Sequence, residues 1–280
     1  MEGELRTVRQ KLESREGSES ISKYPVVKYQ QLVQELGLTL VPIELDFGQA
    51  QMPSSVTYQW DDSGERQQAD ECLSYLSRQL SIPKSCVLQS VDNEKSFLDV
   101  SKSHLGTSHG LQGTSDIAVL DRDMVRHSVK RAGILVLFEL KKAVAEGDVR
   151  QAQLELIASC KISQFRPVVV LTDLQEEWRT FWLCGKQICM TICSRAQALF
   201  FLNRLLASHD NPGLDLRSVL PDELIDRTLL SSAVPSQSGP GYADAEDDYQ
   251  DSLLTKEEQI EQERQWIMST AAKHLPWMYS

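Results

Sequence analysis

The sequence predicts an α/β domain in which helices flank a mixed central β-sheet. Two observations lead to this prediction. Apolar runs of strand length alternate with stretches whose apolar residues recur at helical spacing, mainly within residues 61–220. Hydrophobic residues make up 41% of the 280-residue chain and charged residues 25%, as is typical of a globular domain with one sizeable core. Helical appendages are expected at both ends of this domain.

Composition divides the chain into five segments. Residues 1–22 are polar with few apolar positions, which predicts a flexible N-terminal tail. Residues 23–60 contain a helical pattern followed by an extended one, and we expect them to form an N-terminal appendage. The core domain is predicted at 61–220, because the sequence then becomes an acidic Pro/Gly/Ser linker at 221–254. A final amphipathic helix is predicted within 255–280.

The core elements are predicted in the order helix, three strands, helix, strand, hairpin and helix. The first helix begins after the turn-like residues 61–64, and its apolar stripe consists of Ala69, Cys72, Leu73, Leu76 and Leu80. A loop rich in Gly and Ser (101–113) and a polar connection (121–131) separate the strands. The remaining predicted ranges are 85–91, 114–121, 132–142, 166–173, 178–185 and 186–194 for strands, and 149–161 and 195–209 for helices.

Two charged residues follow the most apolar strand. The run 134–138 is wholly apolar, and Glu139 and Lys141 come directly after it. Because side chains alternate along a strand, Glu139 and Lys141 project from one face, about 7 Å apart. A charge at the end of a buried strand is costly unless it has a partner or a metal ion. Asp116 interrupts the preceding strand in the same way, so we expect the two strands to bring these side chains together.

These three side chains suit the hydrolysis of a phosphodiester. Asp116 and Glu139 are expected to bind Mg²⁺ or Mn²⁺, since these hard cations take oxygen ligands and usually keep several waters. Such a metal would polarise the phosphodiester and help to make a hydroxide nucleophile. Lys141 would orient or activate the attacking water, or stabilise the negative charge of the transition state.

The order of elements and two short motifs resemble the αβββαβ core of the PD-(D/E)xK nuclease superfamily, which has the restriction-endonuclease-like fold. GTSD (113–116) and FELKK (138–142) stand where the second and third motifs of that family belong. The resemblance covers about residues 61–175. It implies a nuclease that depends on a divalent metal ion.

Residue by residue, the resemblance implies a metal site with one catalytic lysine. Asp116 and Glu139 correspond to the metal ligands. Lys141 corresponds to the catalytic lysine, and Glu65 to the carboxylate of the first helix that often joins the metal shell. Ser115 stands in place of the proline in the family's name, a departure that removes no ligand.

The helix after the ExK strand frequently brings a glutamine to the site in this superfamily. The sequence QAQLELIA (151–158) resembles the Q-x-x-x-[YE] form of that motif if Gln151 and Glu155 fill it. Helical periodicity instead favours Gln153, which sits within the apolar stripe and would face the sheet. Both glutamines are therefore candidate catalytic residues.

Four polar residues near the predicted site are candidate contacts to the substrate. They are Ser115, His109, Lys142 and Arg150. His109 lies in the loop before Asp116, where a solvated histidine without a function is the alternative interpretation. The net charge of -11 opposes phosphate binding, but much of the acid lies at 245–251 and 256–263, far along the chain from the predicted site.

The glutamate on the first helix, the aspartate, the E-x-K motif and the following helix with its glutamines together resemble the nuclease-like C-terminal domains of Crinkler effectors and related eukaryotic proteins. The resemblance implies an effector domain, or a free-standing relative, that acts on DNA in a host nucleus. The six cysteines form neither CxxC pairs nor a zinc-spaced cluster, which predicts buried thiols in a reducing intracellular compartment. No membrane partner is expected, because no apolar run approaches the roughly 18–20 residues of a membrane span.

Two functions from different classes stay open at this point. The first is a metal-dependent nuclease that favours DNA. The second is a catalytically inactive module that keeps the nuclease fold and binds a protein through the acidic tail and the C-terminal helix, a helix through which the chain could also self-associate. The presence of Asp116, Glu139 and Lys141 favours the nuclease, and the net charge of -11 favours the interaction module.

Overall fold

The computed structural model describes residues 18–45, 47 and 56–210. The predicted linker and C-terminal helix lie outside these residues, as does most of the predicted N-terminal tail. Among the described helices, none combines the length and the apolar character that are needed to cross a membrane.

Four short elements precede the core. They are strand β1 (Ser18–Ser20), a 3₁₀-helix (Ile21–Lys23), helix α1 (Val26–Leu36) and strand β2 (Thr39–Pro42). Helix α1 ends at Gly37, whose φ of 63° lies in the left-handed region that glycine adopts most readily. The helical and extended patterns after residue 23 thus predict α1 and β2 correctly.

Seven further strands and five further α-helices are described. The strands are β3 (Cys86–Ser90), β4 (Gly110–Gln112), β5 (Ile117–Asp121), β6 (Ile134–Leu140), β7 (Val168–Thr172), β8 (Trp178–Cys184) and β9 (Gln187–Cys193). The helices are α2 (Ala69–Gln79), α3 (Lys102–Leu105), α4 (Arg122–Arg126), α5 (Glu146–Ile162) and α6 (Arg195–Asp210). Two 3₁₀-helices, Glu65–Gln68 and Lys130–Gly133, directly precede α2 and β6.

Seven strands form one mixed sheet in the order β2-β9-β8-β7-β6-β5-β3. Strand β6 is parallel to β7 and β2 is parallel to β9, whereas the other neighbouring strands are antiparallel. Helices pack on both faces of this sheet, which confirms the predicted mixed α/β class. The elements α2, β3, β5, β6, α5 and β7 occur in this order along the chain, with the short elements α3, β4 and α4 between them, and their four strands are neighbours in the sheet.

Strand β6 lies inside the sheet between β7 and β5, and all its residues are buried. Phe138 packs in one core together with Leu202 of α6. Leu137 packs in the opposite core together with Leu156 of α5. Because side chains alternate along a strand, Glu139 lies on the same face as Leu137, beneath helix α5.

The predicted and observed architectures differ mainly in short helices and strands that the sequence does not predict. The predicted loop 101–113 contains α3 and β4, and the predicted connection 121–131 contains α4. Strand β1 pairs with β4 and Ile21 is buried, where the sequence predicts a flexible tail up to residue 22. Such short elements have too few positions to show a period, and their pairing partners are distant in the sequence. Strand β2, within the predicted appendage, forms one edge of the main sheet.

The state of the cysteines and the β8–β9 hairpin both agree with the predictions from the sequence. Strands β8 and β9 form the predicted hairpin, which turns at Gly185 with a φ of 56°. None of the six cysteines, all of which lie within the described ranges, forms a disulfide, and five of them are buried. These two observations confirm the predicted hairpin and the predicted buried thiols.

Candidate active site

Asp116 is fixed where strand β5 begins beside the end of β6. Ile117 pairs with Phe138, so Asp116 stands opposite Glu139 in the antiparallel register. The backbone N–H of Asp116 donates to the Phe138 carbonyl at 3.3 Å. Oδ2 of Asp116 accepts a hydrogen bond from the backbone N–H of Leu140 at 2.7 Å. The backbone of β6 therefore holds the Asp116 carboxylate next to Glu139.

Glu139 is 3% exposed, and its Oε1 has two side-chain donors. Nζ of Lys141 forms an ion pair with its Oε1. Nε2 of Gln151 donates to the same oxygen at 2.6 Å. Lys141 lies just beyond β6, which ends at Leu140, although the sequence predicts it within the strand. Its long side chain folds back, so the ammonium contacts the carboxylate despite a backbone spacing of about 7 Å.

Asp116, Glu139 and Glu155 of α5 together form the acidic cluster. The sequence identifies Glu155 only as part of the Q-x-x-x-[YE] pattern. Nε2 of Gln151 donates to Oε1 of Glu155 at 3.0 Å, so one amide joins Glu139 and Glu155. Glu155 is fully buried, and a hydrogen bond joins its carboxyl group to that of Glu139, which requires a proton on one of the two; no other group donates to Oε2 of Glu155. A buried carboxylate oxygen without a donor is energetically unfavourable and points to a proton or a cation as its partner.

Burial and mutual repulsion raise the pKa values of three carboxyl groups in the cluster. Burial, and then the charge of Glu139, raises the pKa of Asp116 to about 7. Burial, with a further contribution from Asp116, raises the pKa of Glu155 to about 7. Burial and the charge of Glu155 raise the pKa of Glu139 well above its ordinary value. The cluster therefore takes up protons, or another cation, near neutral pH.

Lys141 supplies positive charge to the cluster but does not balance it. Burial alone would lower the pKa of Lys141, yet the nearby carboxylates outweigh burial and raise it. The strongest of these contributions comes from Glu139, followed by Asp116 and Glu65. Lys141 is thus protonated at neutral pH, and a single ammonium group faces several carboxylates.

Glu65 lies at the solvent-exposed mouth of the cluster. It begins the 3₁₀-helix directly before α2. Its Oε1 accepts a hydrogen bond from the backbone N–H of Lys142 at 2.8 Å. Its charge acts on both Asp116 and Lys141. The structure therefore brings Glu65 to the same end of β6 as the other candidate metal ligands.

The donor set at this site fits a hard divalent cation. Asp116, Glu139 and Glu65 offer oxygen atoms only, which Mg²⁺ and Mn²⁺ prefer, and Mg²⁺ commonly takes one or two protein carboxylates plus waters. No group of three or more His, Cys, Asp or Glu side chains in the described ranges already has the arrangement of a metal site. Asp116 and Glu139 are instead bound to Leu140 and Lys141, so a cation would have to share or replace these contacts.

The structure brings Gln151, and not Gln153, to Glu139. Gln153 is buried elsewhere, and its Oε1 accepts a hydrogen bond from the hydroxyl of Tyr29 in α1. Periodicity favours Gln153 wrongly, because every residue of α5 from 152 to 160 is buried. A helix that is buried on all sides has no single apolar stripe, so its periodicity does not reveal which residue faces the sheet.

Two of the predicted substrate contacts have structural partners instead. Ser115 is 1% exposed, and its hydroxyl donates to the Phe138 carbonyl at 3.0 Å. Nζ of Lys142 donates to the backbone carbonyl of Asp61 at 2.7 Å and to that of Ser63. Both groups are used within the protein, which corrects the prediction that they contact the substrate.

The other two predicted contacts lie in different places. His109 lies beside Glu35 at the end of α1, where hydrogen bonds from Ser108 and then the charge of His109 lower the pKa of Glu35. Across the described residues, no hydrogen bond or ion pair joins His109 to the acidic cluster. Arg150 directly precedes Gln151 on α5, pairs loosely with Glu146 at 3.7 Å and is partly exposed. The charge of Arg150 acts on Tyr29 of α1, and among the described residues no hydrogen bond or ion pair joins Arg150 to Asp116, Glu139 or Glu155.

The raised pKa values predict that the metal-free protein loses stability as the pH rises. The folded protein keeps protons on Asp116 and Glu155 up to a pH of about 7, whereas the unfolded chain loses them near its ordinary carboxyl pKa. The free energy of unfolding should therefore fall by a few kcal/mol between about pH 4 and about pH 7 and level off above. Urea unfolding across this range in the presence of a chelator measures the effect.

The control for this prediction compares two substitutions of aspartate. Asp116→Asn removes one of the responsible groups and should flatten the dependence of stability on pH. Asp123→Asn, at an exposed position on α4, should leave it unchanged. A pH dependence that is identical in Asp116→Asn and in the unsubstituted protein would contradict the assignment of the raised pKa.

The chain is similar to Crinkler effector protein 161 of Phytophthora sojae (strain P6497). The two are 28% identical over 200 residues, which cover 64% of this chain and 44% of that protein. The chain thus spans less than half the length of this relative. No family model matches the sequence, and no solved structure matches it significantly. The similarity agrees with the Crinkler part of the resemblance seen in the sequence.

Proposed function

We propose that the chain is a metal-dependent nuclease of the PD-(D/E)xK type, which hydrolyses phosphodiester bonds of nucleic acid and favours DNA. The observation that carries this proposal is the convergence of Asp116, Glu139 and Lys141 at one end of the neighbouring strands β5 and β6. Apart from the short elements α3, β4 and α4, the succession α2, β3, β5, β6, α5, β7 follows the αβββαβ order expected for a restriction-endonuclease-like fold, which gives further support to the proposal.

Asp116 and Glu139 would hold the metal ion, with Glu65 approaching from the mouth of the site. When bound there, Mg²⁺ or Mn²⁺ would supply Lewis acidity toward the phosphodiester and lower the pKa of a bound water. The buried position of Glu139 strengthens its attraction for a cation, because charge is weakly screened away from water. The backbone N–H of Leu140 and the amide of Gln151 orient the two carboxylates.

Lys141 would provide the fixed positive charge of the reaction. Its ammonium contacts Glu139, and 19% of the side chain is exposed. A phosphate oxygen near the metal would therefore meet a protonated lysine, which stabilises the negative charge that grows in the transition state. The neighbouring carboxylates keep Lys141 protonated, so we assign it this electrostatic role and not that of a general base.

A second candidate function is an inactive nuclease fold that works by binding a protein. The observation in its favour is that Asp116 and Glu139 are already engaged by groups of the protein, in a site where Glu139 is 3% exposed. The net charge of -11 also opposes tight binding of nucleic acid. Retention of Lys141 between these carboxylates favours the nuclease, because a binding module gains nothing from an unbalanced buried cluster.

A cleavage assay decides between the two functions. Double-stranded DNA, single-stranded DNA and RNA are incubated with the purified chain in Mg²⁺, in Mn²⁺ and in excess chelator. We expect cleavage that requires either metal ion and that is faster on DNA. Intact substrates under every metal condition would favour the interaction module, and cleavage that persists in chelator would contradict the metal-dependent mechanism.

The similarity to a Crinkler effector supports a proposal about where the nuclease acts. We propose that the chain works as an effector inside a host cell, with the nucleus as the favoured compartment because DNA is the favoured substrate. Microscopy of a fluorescent fusion in host cells tests this proposal. A fusion that is excluded from the nucleus would point to RNA or to a protein as the target.

A further inference from the structure

Lys142 connects the end of β6 to the segment that leads into the first core helix. Its ammonium donates to the backbone carbonyls of Asp61, at 2.7 Å, and of Ser63. The same ammonium lies 6.0 Å from the ring centroid of Trp60. Two of its three N–H donors are thus hydrogen-bonded to the Asp61 and Ser63 carbonyls. Little hydrogen-bonding capacity is left for a phosphate.

The backbone of Lys142 makes a second contact with the same region. Its N–H donates to Oε1 of Glu65 at 2.8 Å. The side chain of Lys142 therefore holds the turn that precedes Glu65, and its backbone holds the Glu65 carboxylate itself. Lys142 lies three positions after Glu139. The segment that carries the buried Glu139 therefore also holds the exposed Glu65 in place.

The segment 61–64 is built to keep one conformation. The buried Gln68 accepts from the backbone N–H of Asp61 at 3.1 Å and donates to the Ser63 carbonyl at 3.2 Å. Trp60 is anchored in turn, because its Nε1 donates to the Asp173 carbonyl at 2.7 Å. Gln68 and Lys142 thus hold the turn from two sides, and Lys142 supplies the link to the active-site strand.

We infer that Lys142 is a positioning residue, which fastens segment 61–64 to the end of β6 and so sets Glu65 over the metal site. This inference rests on the proposed function for the part that concerns the metal ion. A cation held by Asp116 and Glu139 gains Glu65 as a further oxygen ligand, or as the acceptor for a metal-bound water, only while the turn stays in place. Lys142 acts through Glu65 and has no direct contact with substrate.

The inference predicts that Lys142→Gln weakens Mn²⁺ binding by about tenfold, the lower end of the range for outer-shell partners of a metal site. Lys142→Arg should recover most of the affinity, because a guanidinium also donates to backbone carbonyls. The dissociation constant of Mn²⁺ is measured by titration calorimetry on the full chain. Lys130→Gln, at the opposite end of β6 and paired with Glu94, is the matched control and should bind Mn²⁺ normally.

A double-mutant cycle with Glu65→Gln separates positioning from direct binding. If Lys142 acts through Glu65, Lys142→Gln has no further effect on Mn²⁺ affinity once Glu65 is replaced. If Lys142 instead contacts phosphate, its substitution weakens DNA binding in Ca²⁺, lowers the salt dependence of that binding and leaves Mn²⁺ affinity unchanged. The inference would be overturned if the effects of the two substitutions on Mn²⁺ affinity were fully additive. It would also be overturned if Lys142→Gln weakened DNA binding and its salt dependence but left Mn²⁺ affinity unchanged.

Hydrogen–deuterium exchange of the metal-free chain tests the same inference independently of the nuclease proposal. Amides of residues 61–66 should exchange faster in Lys142→Gln than in Lys130→Gln or the unsubstituted protein. Unchanged exchange in this segment would refute the positioning role. If the unsubstituted chain failed to bind Mn²⁺ while exchange rose as expected, the proposed metal site would fail and the fastening of the turn would stand.

Discussion

Glu139→Gln is expected to reduce metal-dependent cleavage by about 10³-fold or more, because it removes a proposed metal ligand and leaves the fold intact. Glutamine keeps the size of the side chain and can still bond with Gln151, but its neutral amide is a weak ligand for Mg²⁺. Lys141→Met keeps the length of the side chain and removes the charge, and we expect a loss on the order of 10²–10³-fold. Initial rates of plasmid cleavage in Mg²⁺ measure both effects.

Two controls match these substitutions in chemistry. Glu71→Gln changes an exposed glutamate on α2, and Lys130→Met changes a partly exposed lysine before β6. Both should cleave at the unsubstituted rate, because surface changes of this kind rarely alter the fold. Cleavage by Glu139→Gln at the rate of these controls would exclude Glu139 as a metal ligand and would attribute the activity to another site or to a contaminant.

The site residues that the sequence identifies are those whose setting is local. Asp116 and Glu139 are each a charge at the end of an apolar strand, and such a charge conflicts with burial unless it has a use. The strands that carry them are consecutive in the predicted core and pair as neighbours, so the side chains meet. The period of two along β6 is enough to place Glu139 on a definite face of the sheet.

The contacts that the sequence misses join residues that are far apart along the chain. Gln153 is bound by Tyr29, which lies 124 positions earlier. Lys142 binds the carbonyls of Asp61 and Ser63, which lie 81 and 79 positions earlier. No local pattern encodes such partners. The sequence therefore shows that Lys142 is cationic, but not that its ammonium group is hydrogen-bonded within the protein.

Glu155 carries a second signal in the sequence, beyond its place in the Q-x-x-x-[YE] pattern. It stands between Leu154 and Leu156 in a run that is otherwise apolar, the same conflict that marks Glu139. A charge on a helix usually faces solvent, and only the burial of residues 152–160 of α5 rules that out here. A charged residue inside an apolar run is thus worth the same attention in a helix as in a strand.

Lys141→Met and Glu155→Gln should change the stability of the metal-free protein in opposite directions at pH 8. Lys141→Met leaves Glu139 without its ion-pair partner, and the free energy of unfolding should fall by about 3 kcal/mol, the lower end for breaking a buried pair, because Glu139 can take up a proton instead. Glu155→Gln removes one buried negative charge from a cluster with too many, and stability should rise by about 1–2 kcal/mol.

The dependence on pH separates this electrostatic account from simple packing damage. Because the pKa values of Asp116 and Glu155 are raised to about 7, both groups are mostly neutral at pH 6, and both effects on stability should shrink there. Urea unfolding in chelator, followed by the fluorescence of the buried Trp178 and Trp182, measures the free energies at the two pH values. Two substitutions that destabilise equally at both pH values would show that the cluster holds no excess negative charge, and the physical reason for a cation at this site would be lost.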